Sequence, residues 1–493
     1  MGLDPRTPVL VGYGQVNQHT DLEHAREPVE LMAQAARAAA DPRVLTAVDA
    51  IRVVNLLSWR YRDPGLALGG LIGADGAATR YTGIGGNVPQ SLVNQACLDV
   101  LAGRAEVVLL AGAEAWRTRK RLKANGIRPD WTKQDESVPV PPGAEHAVEM
   151  SSPAQDRIKL TLPSHVYPLF EEALRVAGGE TPAAHRARIA ELWARFNEVA
   201  QHNPHAWSHK AWTAGEIGEP GPHNRMISWP YTKLLNSNNM VDQAAVVILT
   251  SVEKATYLQI PSERWVFPWA GTDAHDTYAV AERWEYHRSP AIRIGAGRAL
   301  ELAGLGADDV DLIDIYSCFP SAVQVAANEI GIPTDDPARP LTVTGGLTFA
   351  GGPWNNYVMH SIATMAEKLA AAPGTTGLIT ANGGYLTKHA FGVYSATPPA
   401  DGFRWADVQD LVDREPTRRE DADFAGVGTL ESWTAAFDRD GKPDKAFLAV
   451  RTPEQARALA VVTDPDGAAT LIESGDPAGA KVRVRADGSA ELI

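Results

Sequence analysis

Cysteine is nearly absent from this chain of 493 residues, which contains only Cys97 and Cys318. Two cysteines so far apart in sequence argue against a disulfide framework and against a thiolate zinc site. Long hydrophobic runs are absent as well, since no apolar stretch reaches the length of a membrane span. The start, Met1-Gly2-Leu3-Asp4, lacks a signal-peptide pattern. We therefore expect a cytoplasmic protein with no membrane span and no bound metal.

Positive charge is also scarce, because 46 Lys and Arg residues stand against 60 Asp and Glu, for a formal net charge of −14. Such a balance disfavours nonspecific binding to nucleic acid. One basic cluster departs from it and consists of Arg117, Arg119, Lys120, Arg121 and Lys123. The cluster is either a solvated helix face or a phosphate-binding patch at the mouth of a site, and composition leaves both interpretations open.

The chain contains two similar stretches, each with a glycine loop, an amphipathic helix and a buried strand in that order. The glycine loops are Gly85-Gly86-Asn87 and Gly351-Gly352-Pro353, and the second strand ends at Asn382-Gly383-Gly384. Two βαβ-type halves predict a duplicated α/β fold with largely parallel sheets. The duplication also predicts that the glycine loops meet at one shared site.

The length of the chain indicates two or three domains. Residues 116–231 break the alternation of strands and helices and contain many prolines, tryptophans and histidines. We expect them to be an inserted loop domain. The predicted parts are an N-terminal half at 1–115 and 232–258, the insertion at 116–231, a C-terminal half at 259–400 and a tail at 401–493.

The tail has its own pattern of short alternating strands. Residues 469–472 are predicted to be one of these strands, and Asp464-Pro465-Asp466-Gly467 is predicted to be a turn before it. The pattern is typical of a separate small antiparallel β domain.

Three further motifs carry a resemblance to a known family, namely Pro163–Tyr167, Asn236–Ala245 and Asp311–Phe319. With the duplicated halves, they resemble the thiolase superfamily, in particular sterol-carrier-protein-type thiolases and the mycobacterial thiolase-like proteins of type 1. The latter carry an additional C-terminal domain. The resemblance implies a five-layered αβαβα fold with a loop-domain insertion and a small C-terminal β-rich domain. It also implies descent from the acetyl-CoA acetyltransferase family, with acyl-CoA or coenzyme A as ligand and no separate cofactor.

The catalytic positions of that family are largely replaced in this chain. Such enzymes acylate a cysteine at a helix N-terminus, and the resemblance places that nucleophile at Gly86. The family's Gly-His-Pro histidine falls at Gly352, and the cysteine of its Cys-x-Gly loop falls at Ala381. Cys97 lies well inside the predicted helix, where we expect a buried and inert thiol. Without an activated nucleophile, acyltransferase activity is expected to be weak or altered.

The resemblance leaves a set of candidate site residues. The family's His-Asp-Cys-Phe loop reads Tyr316-Ser317-Cys318-Phe319, so its cysteine is kept and its histidine is a tyrosine. Each candidate also has a purely structural interpretation, as a packing or hydrogen-bonding group inside its loop. The catalytic candidates are Tyr316, Cys318, Tyr385 and His389, and the substrate-binding candidates are Gly86, Asn87, Gly352, Asn382, Gly383, Arg117, Arg119 and Arg121.

Three functions remain open from the sequence. The first is an acyl-CoA-binding, thiolase-like protein with little or no thiolysis. The second is a carbon–carbon lyase of retro-aldol type, in which Tyr316 transfers a proton and no covalent cysteine is needed. The third is a non-catalytic acyl-CoA-binding or partner subunit that docks another protein through its C-terminal domain. We expect a monomer or a homodimer.

Overall fold

The structure is a computed structural model that describes residues 3–143 and 148–493. Met1, Gly2 and residues 144–147 of the predicted insertion lie outside the described residues. The elements of the first half are β1 (Pro8–Asn17), α1 (Pro28–Ala39), α2 (Pro42–Thr46), β2 (Ala50–Val53), α3 (Pro64–Ile72), β3 (Ala78–Tyr81), α4 (Val88–Leu101) and β4 (Val107–Ala115). Those of the inserted region are α5 (Trp116–Ala124), α6 (Pro153–Arg157), α7 (Pro163–Ala177), α8 (Pro182–His202), α9 (Ala214–Gly218), β5 (Met226–Ser228) and β6 (Tyr231–Thr232).

The chain then returns to the first half and enters the second. These elements are β7 (Asp242–Ser251), α10 (Val252–Tyr257), β8 (Phe267–His275), α11 (Pro290–Ala303), β9 (Leu312–Asp314), α12 (Pro320–Ile330), α13 (Gly346–Phe349), α14 (Tyr357–Ala371), β10 (Thr376–Gly383), β11 (Lys388–Ser395), β12 (Arg404–Asp407) and α15 (Gln409–Val412). The tail contains β13 (Gly426–Phe437), β14 (Pro443–Arg451), β15 (Arg457–Val462), α16 (Pro465–Glu473), β16 (Lys481–Val484) and β17 (Ala490–Leu492).

Two five-stranded sheets form the core, with strand orders β1-β7-β4-β2-β3 and β12-β8-β11-β10-β9. Both sheets are mixed, and the prediction of largely parallel sheets is wrong. In the first sheet, β7 runs antiparallel to both β1 and β4. In the second, β11 runs antiparallel to both β10 and β8. The cause is local, since β11 follows β10 through a short turn and therefore returns in the opposite direction.

The five layers that the resemblance implies are confirmed. Helices α4 and α14 lie between the two sheets, α1 and α3 cover the outer face of the first sheet, and α11, with α12 packed beside it, covers that of the second. The sequence of α14 explains its place, because all ten residues from Tyr357 to Ala366 are buried. Seven of these ten residues are hydrophobic, and a largely apolar helix is stable only where little of it is exposed to solvent.

The inserted region packs over the second half and reaches the tail. Helix α7 contacts α12 on one side and β13 on the other, and α8 contacts α13. Tyr167 and Trp193 are among the largest fully buried side chains and fix α7 and α8 in place. The insertion therefore contributes side chains to the core, including the region where the glycine loops lie.

The tail forms one sheet of strand order β15-β14-β13-β16-β17, and a parallel bridge between Val461 and Ser489 brings its ends together. One predicted strand is wrong, because residues 469–472 belong to helix α16. The sequence that reads as a turn is in fact a helix start, in which the Asp464 side chain accepts a hydrogen bond from Gly467 N at 3.0 Å and Pro465 takes the first helical position. Strand β12 joins the second sheet beside β8, although it lies within the predicted tail.

Membrane insertion finds no support in the helices. Within residues 3–143 and 148–493, no helix combines the length and the apolar character that crossing a bilayer requires.

Candidate functional site

A cavity of about 710 Å³ lies where the loops at the ends of α4, β9 and β10 meet. This volume is ordinary for a site that takes a small organic ligand. Walls come from both halves and from the start of α7, so the duplication does bring the two sets of loops together. The predicted site residues that line it are Gly86, Tyr316, Cys318, Asn382, Gly383 and Tyr385.

Gly86, the expected nucleophile position, has no room for a side chain. A Cβ atom on Gly86 would lie 2.5 Å from the hydroxyl oxygen of Tyr316 and closer still to the carbonyl oxygen of Asn382. Gly86 does not adopt the left-handed backbone conformation, so space alone requires glycine here. The Tyr316 hydroxyl thus occupies the place from which the family's cysteine would project.

Gly352 and Asn87 lie next to the cavity without lining it. A Cβ atom on Gly352 would lie 2.9 Å from Oδ1 of Asn239, and Asn239 does line the cavity. Asn87 precedes α4, and its Oδ1 would lie 2.6 Å from a Cβ atom on Gly383. Both predicted residues therefore shape the wall from behind.

Tyr167 of α7 organises the loop after β10. Its hydroxyl accepts hydrogen bonds from Asn382 Nδ2 and from Leu386 N, both at 2.9 Å, and donates to Gly384 O at 3.1 Å. The same Asn382 Nδ2 lies 3.7 Å from Cys318 Sγ. Sequence reasoning missed Tyr167 as a site residue, because its partners are more than 200 positions away. The only signal was its place in the motif Pro163–Tyr167.

Burial favours the uncharged forms of the acid–base groups in the cavity wall. Burial raises the pKa of Tyr316 well above its ordinary value, and it raises the pKa of Cys318 to about 12. Burial lowers the pKa of Lys388, whose Nζ donates to Ile84 O at 2.6 Å and borders the cavity. The site therefore offers a neutral hydroxyl, a neutral thiol and one amine whose charge is destabilised.

Tyr385 and His389 differ in position. Tyr385 lines the cavity, but its hydroxyl donates to Thr161 O at 2.7 Å. His389 does not line it and lies behind the wall, where its Nε2 is 3.2 Å from Leu386 O and 3.8 Å from Asp276. Burial lowers the pKa of His389 to about 4, so the ring is neutral at pH 7. The predicted catalytic role of His389 is not supported by this placement.

None of the three predicted phosphate-binding arginines lines the cavity. Each is turned toward another part of the protein. Their partners are the Trp207 ring, 5.9 Å from Arg117, the Leu57 carbonyl, 2.9 Å from Arg119, and the Thr20 carbonyl, 3.1 Å from Arg121. Helix α5 itself approaches the cavity through an aromatic contact, since Trp116 packs edge-on against the cavity residue Trp354 at 5.3 Å.

Cys97 lies as expected inside α4 and is fully buried. Burial raises its pKa, so the thiol is inert. Within residues 3–143 and 148–493, no three or more His, Cys, Asp or Glu side chains form a group that could hold a metal ion.

Comparison with known proteins supplies relatives for the whole chain. A family model for the thiolase-like protein type 1 additional C-terminal domain matches residues 407–489. No curated protein matches the chain by sequence. A monomeric SCP2-thiolase-like protein type 1 from Mycobacterium smegmatis has a crystal structure that is 31% identical, covers 100% of both chains and gives a TM-score of 0.83.

More distant structures share the fold alone. The Ltp2-ChsH2(DUF35) aldolase is 19% identical, covers 79% of this chain and 98% of its own, and gives a TM-score of 0.57. The dimeric peroxisomal thiolase of Saccharomyces cerevisiae is 12% identical, covers 80% of this chain and 98% of its own, and gives a TM-score of 0.55. With a full-length match at 31% identity and a matching C-terminal domain, the chain belongs to the SCP2-thiolase-like proteins of type 1.

Proposed function

We propose that this protein binds acyl-CoA thioesters in the cavity between the glycine loops and does not become acylated itself. The observation that carries this proposal is the contact at Gly86, where the Tyr316 hydroxyl fills the space of a nucleophilic side chain. The cavity volume suits an acyl group with part of a pantetheine chain. Standard thiolysis needs an activated nucleophile, and none is supplied by the residues of the cavity wall that the structure describes.

A binding experiment with mass spectrometry tests the proposal. Calorimetric titration with acetyl-CoA is expected to give a measurable Kd. The intact mass of the protein after incubation with acetyl-CoA is expected to stay unchanged, because no acyl-enzyme forms. An added acetyl group that maps to a cavity residue would contradict the non-covalent assignment, and absence of binding to any acyl-CoA would remove the proposed ligand class.

The second candidate is a carbon–carbon lyase of retro-aldol type acting on a β-hydroxyacyl-CoA. Tyr316 favours it, because a proton donor stands where the family's nucleophile would project. A solved neighbour that shares the fold is named an aldolase. In this reaction a base takes the β-hydroxyl proton, the Cα–Cβ bond breaks, its electron pair forms the thioester enolate, and an acid protonates the α-carbon.

Two cavity residues suit the two proton transfers. Lys388 is the base candidate, because burial lowers its pKa and increases its neutral fraction at a given pH. Tyr316 is the acid candidate, because burial keeps its hydroxyl protonated. Lys388 then returns the proton it gained to the tyrosinate, and the products are a shorter acyl-CoA and a carbonyl compound. Detection of that carbonyl compound by mass spectrometry separates a lyase from a purely binding subunit, which yields none.

We further propose that the protein is a monomer, as its relative from Mycobacterium smegmatis is named. A segment of this chain reaches the end of the free edge strand of the first sheet, where Tyr81 N of β3 donates to Pro142 O at 3.2 Å. The Gln134 side chain of the same segment accepts from Arg62 N and Asp63 N, both at 2.8 Å. The segment therefore takes up one hydrogen-bonding position of β3, which works against pairing of this edge with a second copy. Sedimentation equilibrium is expected to give the chain mass of 52.9 kDa.

A partner protein remains an alternative for the tail. In this structure the tail is docked within the chain, because β13 pairs with β5 of the inserted region. A partner subunit would therefore use the outer face of the tail. If a chain without the tail still co-purifies with the partner that the complete chain binds, this placement is contradicted.

A further inference from the structure

Two catalytic side chains of the family are glycines here, and in each case a polar group from another loop lies in the vacated space. At Gly86 the group is the Tyr316 hydroxyl, and at Gly352 it is the Asn239 carboxamide, whose Oδ1 would be 2.9 Å from a Cβ atom. Gly352 does not share the left-handed backbone of its neighbour Gly351, which has φ 106°. A side chain at Gly352 would therefore have to displace the Asn239 carboxamide, while the backbone conformation would accept it.

The Asn239 carboxamide faces the cavity without a protein partner. Other asparagines of this wall are engaged, since Asn236 Nδ2 donates to Thr232 O at 2.7 Å and Asn355 Nδ2 donates to Asn55 O at 3.0 Å. In the part of the chain that the structure describes, no group forms a hydrogen bond with the side chain of Asn239, which lines the cavity. Its donor and acceptor are thus available to a ligand.

The loop that carries Asn239 is fixed from both sides. Asn238 N donates to Leu347 O at 3.1 Å, and Asn238 O accepts from Gly352 N at 2.9 Å. Ser237 Oγ donates to Cys318 O at 2.9 Å and ties this loop to the loop of Tyr316. The backbone that carries Asn239 is thus fixed, and a donor on a fixed loop needs less reorganisation to stabilise developing charge.

We infer that Asn239 is the group that holds the thioester carbonyl oxygen of a bound acyl-CoA, at the position of the family's Gly-His-Pro histidine. The inference rests on the proposed function, because it names the contact that distinguishes an acyl thioester from coenzyme A alone. The Asn239 amide N–H donates to the carbonyl oxygen, and the Tyr316 hydroxyl faces the same thioester from the side of Gly86. Both groups are uncharged, so they bind the neutral thioester and also favour its enolate.

A pair of ligands that differ only at the carbonyl tests this contact. Acetyl-CoA carries the carbonyl oxygen, and S-ethyl-CoA, a thioether of nearly the same shape, lacks it. Wild-type protein is expected to bind acetyl-CoA roughly 2- to 10-fold more tightly than S-ethyl-CoA, the factor that corresponds to one hydrogen bond. Asn239→Leu, of similar volume, is expected to lose most of this preference and to keep the wild-type Kd for S-ethyl-CoA.

Controls separate this inference from the proposed function. Asn125→Ala removes an exposed asparagine amide on the far end of α5 and is expected to keep the wild-type preference. Asn239→Ser, which is smaller, covers the case in which the leucine variant does not fold. If wild-type protein binds neither ligand, the proposed function fails. If it binds both but prefers neither, or if folded Asn239 variants keep the preference, the role of Asn239 is overturned while acyl-CoA binding stands.

Discussion

Gly86→Ala is expected to destabilise the protein although alanine is the smallest possible addition. The new Cβ atom would lie 2.5 Å from the Tyr316 hydroxyl and closer still to the Asn382 carbonyl oxygen, which is backbone and cannot rotate away. Extra methyl groups in well-packed regions cost about 1–3 kcal/mol. For a cooperative unit of 150–250 residues, this corresponds to a fall in Tm of roughly 2–12 °C.

A matched glycine supplies the control. Gly297 lies in the exposed face of α11, has no left-handed backbone, and would find nothing within 4 Å of an added Cβ atom. Gly297→Ala is therefore expected to stabilise the protein by about 0.5–1 kcal/mol, the gain from the higher helix propensity of alanine. The two alanine variants should shift Tm in opposite directions in differential scanning calorimetry.

A double-mutant cycle identifies the group that fills the space. Tyr316→Phe removes the hydroxyl, so the cost of Gly86→Ala should be smaller in the phenylalanine background, with a remainder from the Asn382 carbonyl. The coupling between the two substitutions is expected to be about 0.5 kcal/mol or more. An equal cost in both backgrounds would refute the placement of the Tyr316 hydroxyl at the nucleophile position, and a stable Gly86→Ala variant would refute the crowding itself.

Three other variants have defined outcomes. Tyr316→Phe is expected to reduce any retro-aldol turnover by about 10²–10⁴-fold and to leave the Kd for acyl-CoA nearly unchanged; equal turnover would exclude Tyr316 as the proton-transfer group. Arg457→Met removes one of two arginines from the buried Glu431, whose pKa is lowered to about 2, against the effect of burial, by hydrogen bonds from Arg457 and Arg451. Because Arg451 still pairs with Glu431, the expected cost is below that of a fully unpaired buried charge, about 3–5 kcal/mol, and it is seen as faster proteolysis between the second half and the tail. His389→Gln should flatten the acid side of the stability profile: the folded-state pKa of about 4 lies below the ordinary 6.5, so wild-type stability is present above pH 6.5 and is lost as pH falls toward 4, by up to about 1.4 kcal/mol per pH unit. The free energy of unfolding is measured by urea denaturation between pH 4 and 7. If it depends on pH in the same way in His389→Gln and in the wild type, His389 is not responsible for the loss of stability.

The sequence by itself determined the layered core, because periodicity is a local property. Helix α14 and strand β10 follow from apolar residues at helical and extended spacing, and the repeat of glycine loop, helix and strand showed the duplication. Six of the predicted site residues line one cavity, since equivalent loops of duplicated halves meet by symmetry. The prediction from sequence was wrong where the same residues are common in two kinds of structure. Asp464-Pro465 was predicted to be a turn, but it starts helix α16.

Only the tertiary structure decided which side chains fill the cavity. The hydroxyl of Tyr316 reaches Gly86 across 230 positions, and Asn239 reaches Gly352 across another loop, so neither contact leaves a pattern in the sequence. The sequence left the arginines after Trp116 open as a solvated helix face or as a phosphate patch, and in the structure they contact backbone carbonyls and an aromatic ring away from the cavity. Burial, which depends on every neighbouring element, sets the protonation of Tyr316, Cys318 and His389. The sequence identifies the side chains that can take part in a reaction. The distances between them and their desolvation arise only on folding, and these determine what the side chains can do.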